Sequence, residues 1–568
     1  MSERMRDDTA PGAGINITAE SAEVIADAGA GDELRMEKEK ASPLGVVLMV
    51  QGTASDVGKS VIVTALCRIF TRDGFSTAPF KSQNMALNSY VTSDGKEIGR
   101  AQGIQADACG IPATTDMNPI LLKPTGEMHS QVVVHGKPYR DLSAAGYREN
   151  FLPLAKPLVM KALGRLRSQF DIVVMEGAGS PAEINLKHRD IVNMNLAGWA
   201  DAPVILVGDI DRGGVFAFLV GTLELLEPEE RARVKGFVIN KFRGDLSLLQ
   251  PGLEWLEQRT GIPVLGVLPF MPDLDVEAED SVVLDSYPAR PIPGKDLDIA
   301  VIRHPRLSNF TDFDILAAEP DVSLRYVQKL SQLGEPDVVI LPGSKNTIGD
   351  LEYLREQGLD EGIAELMAAR RHTRLVGICG GYQMLGVELH DPDAVESSVP
   401  RQAEGLGWLP VATTFIPGKT TLRVSGTAFS NEEAFAGHSA GDITVSGYEI
   451  HSGKTVACGV PEQGTVPVFR IREEGGTERD EGCATPDGRV FGTYLHGLFQ
   501  NDSWRRAWLN SVRKDKGLSP VLSEISAEER KVAAFDRLAD HVTRHLDMER
   551  IYELMRKQAA IKKDVFPK

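Results

Sequence analysis

The stretch Val50–Ser60, "VQGTASDVGKS", carries the spacing on which the fold turns. A Walker A loop runs G-x-x-x-x-G-K-[ST] and would end here at Gly58-Lys59-Ser60. Thr53 stands where the first glycine belongs, and Gly52 comes one residue early. The context is nevertheless that of a phosphate loop. An apolar run, "LGVVLMVQG" (44–52), leads in as a strand, and Val61–Phe70 follows as a helix. In such a unit, successive backbone N–H groups and the helix N-terminus converge on one anion. Lys59 is expected to reach the β/γ-phosphates, and the Ser60 hydroxyl to bind Mg²⁺.

Around this loop the chain reads as ordinary globular protein: 568 residues, 42% hydrophobic and 25% charged. No apolar run approaches the ~20 residues that span a bilayer, so no membrane partner is expected. The start, "MSERMRDDTAPGAG", lacks the basic and apolar segments of a secretory signal. The five cysteines form no C-x-x-C pair, and a reducing cytoplasmic setting is expected. A formal charge of −18 argues against a nucleic-acid partner, whose backbone needs basic faces. An anionic small substrate responds only to the local field and is not excluded.

Residues 1–44 cannot bury a core and read as a disordered tail. From residue 45 to 285, strand candidates (Val46–Val50, Ile172–Met175, Val204–Val207, Val234–Ile239) alternate with helical stretches, the pattern of an α/β domain with a parallel sheet. The proline-rich "SVVLDSYPARPIPGKDL" (281–297) breaks it, with a linker placed at 286–297. A second α/β domain, 298–510, begins with "DIAVIRH", "DVVILPGS" and "RLVGICGG", and a helical C-terminal extension covers 511–568. There Val532, Phe535, Leu538, Val542 and Leu546 recur at helical spacing behind a Ser526/Glu529 capping box. That stripe is read as packing on its own domain in preference to a partner.

Other residues gather at the expected strand ends of the first domain. "DIVVMEGAGS" ends an apolar strand in Glu176, the form of a Walker B acid that holds Mg²⁺. In "FKSQNMALNS", Lys81 is placed to neutralise a transferring phosphoryl group, and "GDIDRGG" sets Asp209, Asp211 and Arg212 at another strand end. The expected ATP-binding set is thus Thr53, Gly58, Lys59, Ser60 and Lys81, with Ser60 and Glu176 on the metal. The stretched loop resembles that of dethiobiotin synthetase and its relatives, G-T-x-x-x-x-G-K-[ST]. That likeness implies ATP-dependent phosphorylation of a carboxyl-type oxygen.

The second domain carries different chemistry. In "LVGICGGYQMLG", Gly377, Cys379 and Gly381 reproduce the nucleophile-elbow spacing with a thiol in place of a hydroxyl. Cys67, Cys109 and Cys458 have no such setting and read as small buried hydrophobes. The thiol needs a base. His496 in "VFGTYLHGLF" is expected at a strand end, with His451 in "GYEIHSG" as its rival. "VVILPGSKNT" supplies a turn whose Gly343 N–H, with that of Gly380, is expected to hold an oxyanion.

These pieces in this order resemble the cobyrinate amidases, and "FKSQNMALNS", "RAQ", "MNPILLKP", "SNFTDFD", "LPGSKNT", "GYEIH" and "GTYLHGLF" are similar to the cobyric acid synthase group among them. The resemblance spans roughly 45–510. It implies a P-loop synthetase followed by a class I glutamine amidotransferase domain, with ATP, Mg²⁺ and glutamine. The implied reaction amidates the b, d, e and g carboxylates of adenosylcobyrinic acid a,c-diamide. It selects Cys379 as nucleophile and His496 as base. Other class I glutaminases carry Glu two residues after that histidine; Leu498 stands here, leaving the orienting residue open. Alternatives at this stage are cobyrinic acid a,c-diamide synthase, another P-loop amidoligase, or a partitioning-type ATPase with an inert glutaminase fold.

Overall fold

The strand that opens the phosphate loop, Val46–Gly52, is buried along its whole length. It lies inside a six-stranded sheet ordered Val264–Pro269, Val234–Phe242, Val204–Asp209, Val46–Gly52, Ile172–Glu176, Thr77–Phe80. Every pairing in it is parallel. Strands flanked by neighbours and covered on both faces must be apolar throughout, which the runs Val46–Val50 and Ile172–Met175 satisfy. Because the strands are parallel, Gly52, Phe80, Glu176 and Asp209 all end on one edge, where ligands gather in such sheets. The computed structural model describes residues 44–558 apart from 127–128, 144–145, 148–150, 273, 280, 398, 430–442, 459–464, 474 and 524. The expected tail falls, except for Leu44, outside the described residues.

Between Thr77–Phe80 and Ile172–Glu176 the chain makes a small sheet of Gln83–Met85, Ile120–Gly126, His129–Val134 and Lys137–Ser143. A 3₁₀ turn over Ser281–Ser286 then leads towards a second six-stranded sheet. Its order is Val322–Val327, Leu297–Ile302, Val338–Leu341, Arg374–Ile378, Val490–Thr493, Cys483–Ala484, with only the last pairing antiparallel. A further sheet is built on the long hairpin Val411–Ala428 and Thr444–Ala457. All five cysteines are free; Cys67 and Cys109 are buried as expected, whereas Cys458 is only partly buried. Among the described residues no helix is long and apolar enough to cross a membrane.

The C-terminal helices divide between the two halves. Asp502–Asp515 runs across residue 510 and packs Trp504, Trp508, Leu509 and Val512 into the core of the second sheet. Ala527–His545 and Met548–Gln558 instead return to the first sheet. Phe535, Leu538, Val542, Leu546, Ile551 and Met555 join Val46, Ile62 and Leu66 in one core. Val532, expected in the same stripe, is exposed. Arg68 grips Asp536 through two hydrogen bonds, and the Val47 amide donates to the Gln558 side chain. The stripe therefore closes the phosphate-loop domain, far from its neighbours in sequence.

Candidate active site

The displaced glycine of the phosphate loop has a steric cause. The Thr53 amide still donates to Val207 O, so Thr53 continues the strand pairing and the loop begins after it. A Cβ on Gly52 would lie 2.4 Å from Val57 Cγ2, so only glycine fits where the loop folds back. Gly58 has φ +96° and would bring a Cβ within 2.2 Å of Asn240 Nδ2. The helix Lys59–Arg72 starts directly from it without a side-chain cap, leaving its first N–H groups to an anion. Lys59 Nζ donates to Ala54 O (2.8 Å) and Gly179 O (3.1 Å), folded over the loop. Burial pushes its pKa down to about 8, against the pull of Glu176.

Ser60 at the start of its helix meets Lys81 and Glu176 at the strand ends. Glu176 is fully buried and accepts from Ser60 Oγ (2.8 Å), Lys81 Nζ (2.9 Å) and Gln105 Nε2 (2.7 Å). Burial opposes its charge, but Lys81 and the hydrogen bonds from Gln105 and Ser60 together outweigh that and hold the carboxyl below its ordinary range. Glu279 comes from beyond the last strand of the sheet and faces the same hydroxyl, its Oε2 lying 3.1 Å from Ser60 Oγ. Its other oxygen accepts from Asn84. One hydroxyl and two carboxylates so gathered are the hard oxygen donors that Mg²⁺ takes, so the residues fit that ion. Asp209, by contrast, is occupied structurally: it pairs with Lys241 at 2.8 Å and caps the Asp211 amide. Exposed Arg212 lies 3.5 Å from Asp56. A cavity of about 1320 Å³ opens here, lined by Lys59, Ser60, Lys81 and Glu176 and by the exposed apolar side chains of Met85 and Leu186. That exceeds the ~300–1,000 Å³ of a pocket for one small ligand.

The second site is built by the elbow. Cys379 has φ 52°, ψ −107° between the strand Arg374–Ile378 and the helix Gly380–Leu385, the strained turn that lifts a nucleophile out of the sheet. Three glycines permit it: a Cβ on Gly377 would meet Gly381 at 2.7 Å, one on Gly381 would meet Leu341 O at 1.8 Å, and one on Gly380 the Ser344 amide nitrogen at 2.7 Å. Cys379 is buried, with Sγ 3.6 Å from Ile450 O.

His496 is buried beside it, stacked on Tyr448 with ring centroids 5.1 Å apart. Its Nδ1 lies 2.6 Å from Asp312 Oδ2, while Asp312 Oδ1 accepts from the Gly497 amide. Asp312 thus stands where the expected third residue was missing, reaching in from "SNFTDFD" rather than from two residues past the histidine. Burial works against a charge on His496, but Asp312 and the neighbouring Cys379 outweigh it and push its pKa up to about 10. His451 is engaged otherwise: its ring stacks on Tyr494 at 3.7 Å, Nδ1 lies 2.8 Å from Gly453 O, and burial lowers its pKa to about 4.

One expected donor is corrected. Gly343–Ser344 pairs antiparallel with Leu307–Ser308, in the register Ser308↔Gly343 and Leu307↔Ser344, and Lys345 N donates to Arg306 O. Antiparallel bonds alternate, so the Gly343 amide faces Ser308 and is consumed by the ladder. Gly343 instead backs onto the imidazole, its Cβ position 3.4 Å from His496 Cε1. The next amide along, that of Ser344, lies beside the elbow, its nitrogen 2.7 Å from where a Cβ on Gly380 would stand.

Residues 48–283 match the family model described as the CobQ/CobB/MinD/ParA nucleotide binding domain, and 298–504 that of the CobB/CobQ-like glutamine amidotransferase domain. Cobyric acid synthase of Geobacillus sp. (strain WCH70) is 53% identical over 509 residues, covering 89% of this chain and 97% of that one. The chain belongs to the cobyric acid synthase family. Its likeness extends to the cobyric acid synthases of Desulforamulus reducens, 52% identical over 90% of this chain and 98% of that one, and of Dehalococcoides mccartyi (strain CBDB1), 49% over the same shares. Within this family member each matched segment carries one of the two sites, and the helix Ala527–His545, beyond both segments, packs on the first.

Proposed function

We propose that this chain amidates the b, d, e and g carboxylates of adenosylcobyrinic acid a,c-diamide with ammonia drawn from glutamine, at the expense of ATP. The carrying observation is the pairing of a strained, glycine-cradled Cys379 and an Asp312-bound His496 with a separate, uncapped phosphate loop in one chain. At the first of these, His496 holds the proton that leaves Cys379, and the thiolate attacks the glutamine amide carbon. The Ser344 and Gly380 amides receive the oxyanion. His496 returns its proton to the departing nitrogen, releasing ammonia, and water then clears the thioester. Asp312 keeps Nδ1 as the donor, so that Nε2 faces the sulfur.

At the phosphate loop, the helix N-terminus and Lys59 cradle the triphosphate, and a substrate carboxylate oxygen attacks the γ-phosphorus. Ser60, Glu176 and Glu279 would hold Mg²⁺, which when bound spreads the charge of the phosphates. The resulting acyl phosphate has a leaving group that a carboxylate lacks, and ammonia displaces it. The cavity is larger than one small ligand fills, and the exposed side chains of Met85 and Leu186 offer the acceptor an apolar wall. The named relatives are all cobyric acid synthases, which does not favour the a,c-diamide synthase reading. A partitioning ATPase would have no use for the elbow's strained geometry. The Cys379→Ser variant tests the division of labour: amidation from glutamine should vanish while amidation from added ammonia survives. Equal loss of both would overturn it.

A further inference from the structure

The turn that carries Asp312 presents a second side chain to the same imidazole. Asn309 is buried in the left-handed conformation, φ 53°, and its amide nitrogen lies 3.5 Å from His496 Nδ1 and 3.4 Å from Nε2. Near-equal distances to both ring nitrogens set the amide against the imidazole as a whole and not against one nitrogen alone. The other end of this side chain is held from outside the domain: Asn309 Oδ1 accepts the Ser89 amide, 3.0 Å away, from the phosphate-loop half of the chain.

Ser89 is itself pinned from both halves. Its hydroxyl joins a buried group in which Glu97 pairs with Lys123 and with Lys419 of the long hairpin. Arg423 of the same hairpin donates twice to Val91 O. On the other side, Asn88 Nδ2 donates to Glu279 O (2.9 Å), and the Glu279 carboxylate faces Ser60. A short path of direct contacts therefore runs from Ser60 through Glu279, Asn88, Ser89 and Asn309 to His496.

We propose that Asn309 is a positioning residue for His496, and that its own position is set by the Ser89 amide, so the glutaminase base is oriented only while the two halves are engaged. This rests on the two-site reading above. A ligand that recruits Ser60 and Glu279 at the phosphate loop pulls on the far end of the same path, which gives the nucleotide site a physical handle on glutamine hydrolysis.

Asn309→Gly removes the side chain without straining the left-handed backbone, and Asn88→Ala cuts the path at Glu279 while leaving Asn309 in place. In the full-length protein with ATP, Mg²⁺ and the diamide acceptor, Asn309→Gly should lower kcat for glutamine hydrolysis roughly 10- to 100-fold, the scale for losing an orienting contact. KM for glutamine and the rate of ammonia-driven amidation should stay within about twofold of wild type, a change too small to reflect lost orientation. Wild-type glutamine hydrolysis should respond to adding ATP and Mg²⁺, and Asn88→Ala should lose that response. A wild-type kcat in Asn309→Gly, equal loss of ammonia-driven amidation, or a response unchanged in Asn88→Ala would each overturn the proposal. Failure of the wild-type protein to amidate from either nitrogen source would instead overturn the function on which it rests.

Discussion

At the scale of single residues, the two sites depend on how burial and partners set charge. His496 sits in a buried pocket where Asp312 and Cys379 together more than offset the cost of its charge and push its pKa up to about 10. Asp312→Asn keeps the shape but removes that charge and the fixed tautomer. Glutamine hydrolysis should fall by roughly 10²- to 10⁴-fold in kcat, as measured for orienting carboxylates; ammonia-driven amidation should be unaffected. A variant with wild-type hydrolysis would show that Asp312 does not orient the base. Lys59 gives a pH signature of opposite origin. Its pKa is lowered to about 8 by burial, and bound phosphates would stabilise the charged amine and raise it. Below about pH 8 the amine is already charged and nucleotide affinity should be flat. Above it, binding must take up a proton, and affinity should fall by up to about tenfold per pH unit. Calorimetric titration in buffers of different ionisation enthalpy would detect this uptake; affinity independent of pH from 7 to 10, a range that brackets the lowered value, would contradict it.

At the scale of elements, what was readable from sequence is what local sterics dictate. Both strand–turn–helix units could be placed because their glycines answer to neighbours a few residues away: Gly52 to Val57, Gly377 to Gly381. The elbow offers the sharper test. A Cβ at Gly381 would lie 1.8 Å from Leu341 O, which is backbone and cannot swing aside. Gly381→Ala should therefore abolish glutamine hydrolysis and cost about 1–3 kcal/mol or more of stability in denaturant titration, whereas Cys379→Ser should lose the hydrolysis alone. Full activity in Gly381→Ala would mean the turn is not as tight as drawn. Two site residues escaped the sequence because nothing local marks them. Asp312 meets His496 across 184 positions, and Glu279 meets Ser60 across 219. Gly343 was misplaced by one residue because a strand's successive amides face opposite ways, and only the register with Leu307–Ser308 says which.

At the scale of the whole molecule, the phosphate-loop domain is completed by the end of the chain. Leu538 and its neighbours fill the same core as Val46 and Ile62, and Arg68 reaches Asp536 across 468 positions. The helical spacing of that stripe was legible, but its destination was not, since spacing records a buried face and not what covers it. Leu538→Ala should destabilise this domain by about 2–5 kcal/mol and lower nucleotide binding at elevated temperature, even though residue 538 touches no ligand. An unchanged melting profile would show that the helix only rests on the surface. The division of the chain into an ammonia source and a carboxylate activator is tested most directly by isotope counting. The purified protein, given ATP, Mg²⁺, amide-¹⁵N glutamine and adenosylcobyrinic acid a,c-diamide, should yield a product carrying four ¹⁵N amides by mass spectrometry. ATP consumed without ¹⁵N entering the corrinoid, or a product that stops at the a,c-diamide, would contradict the account.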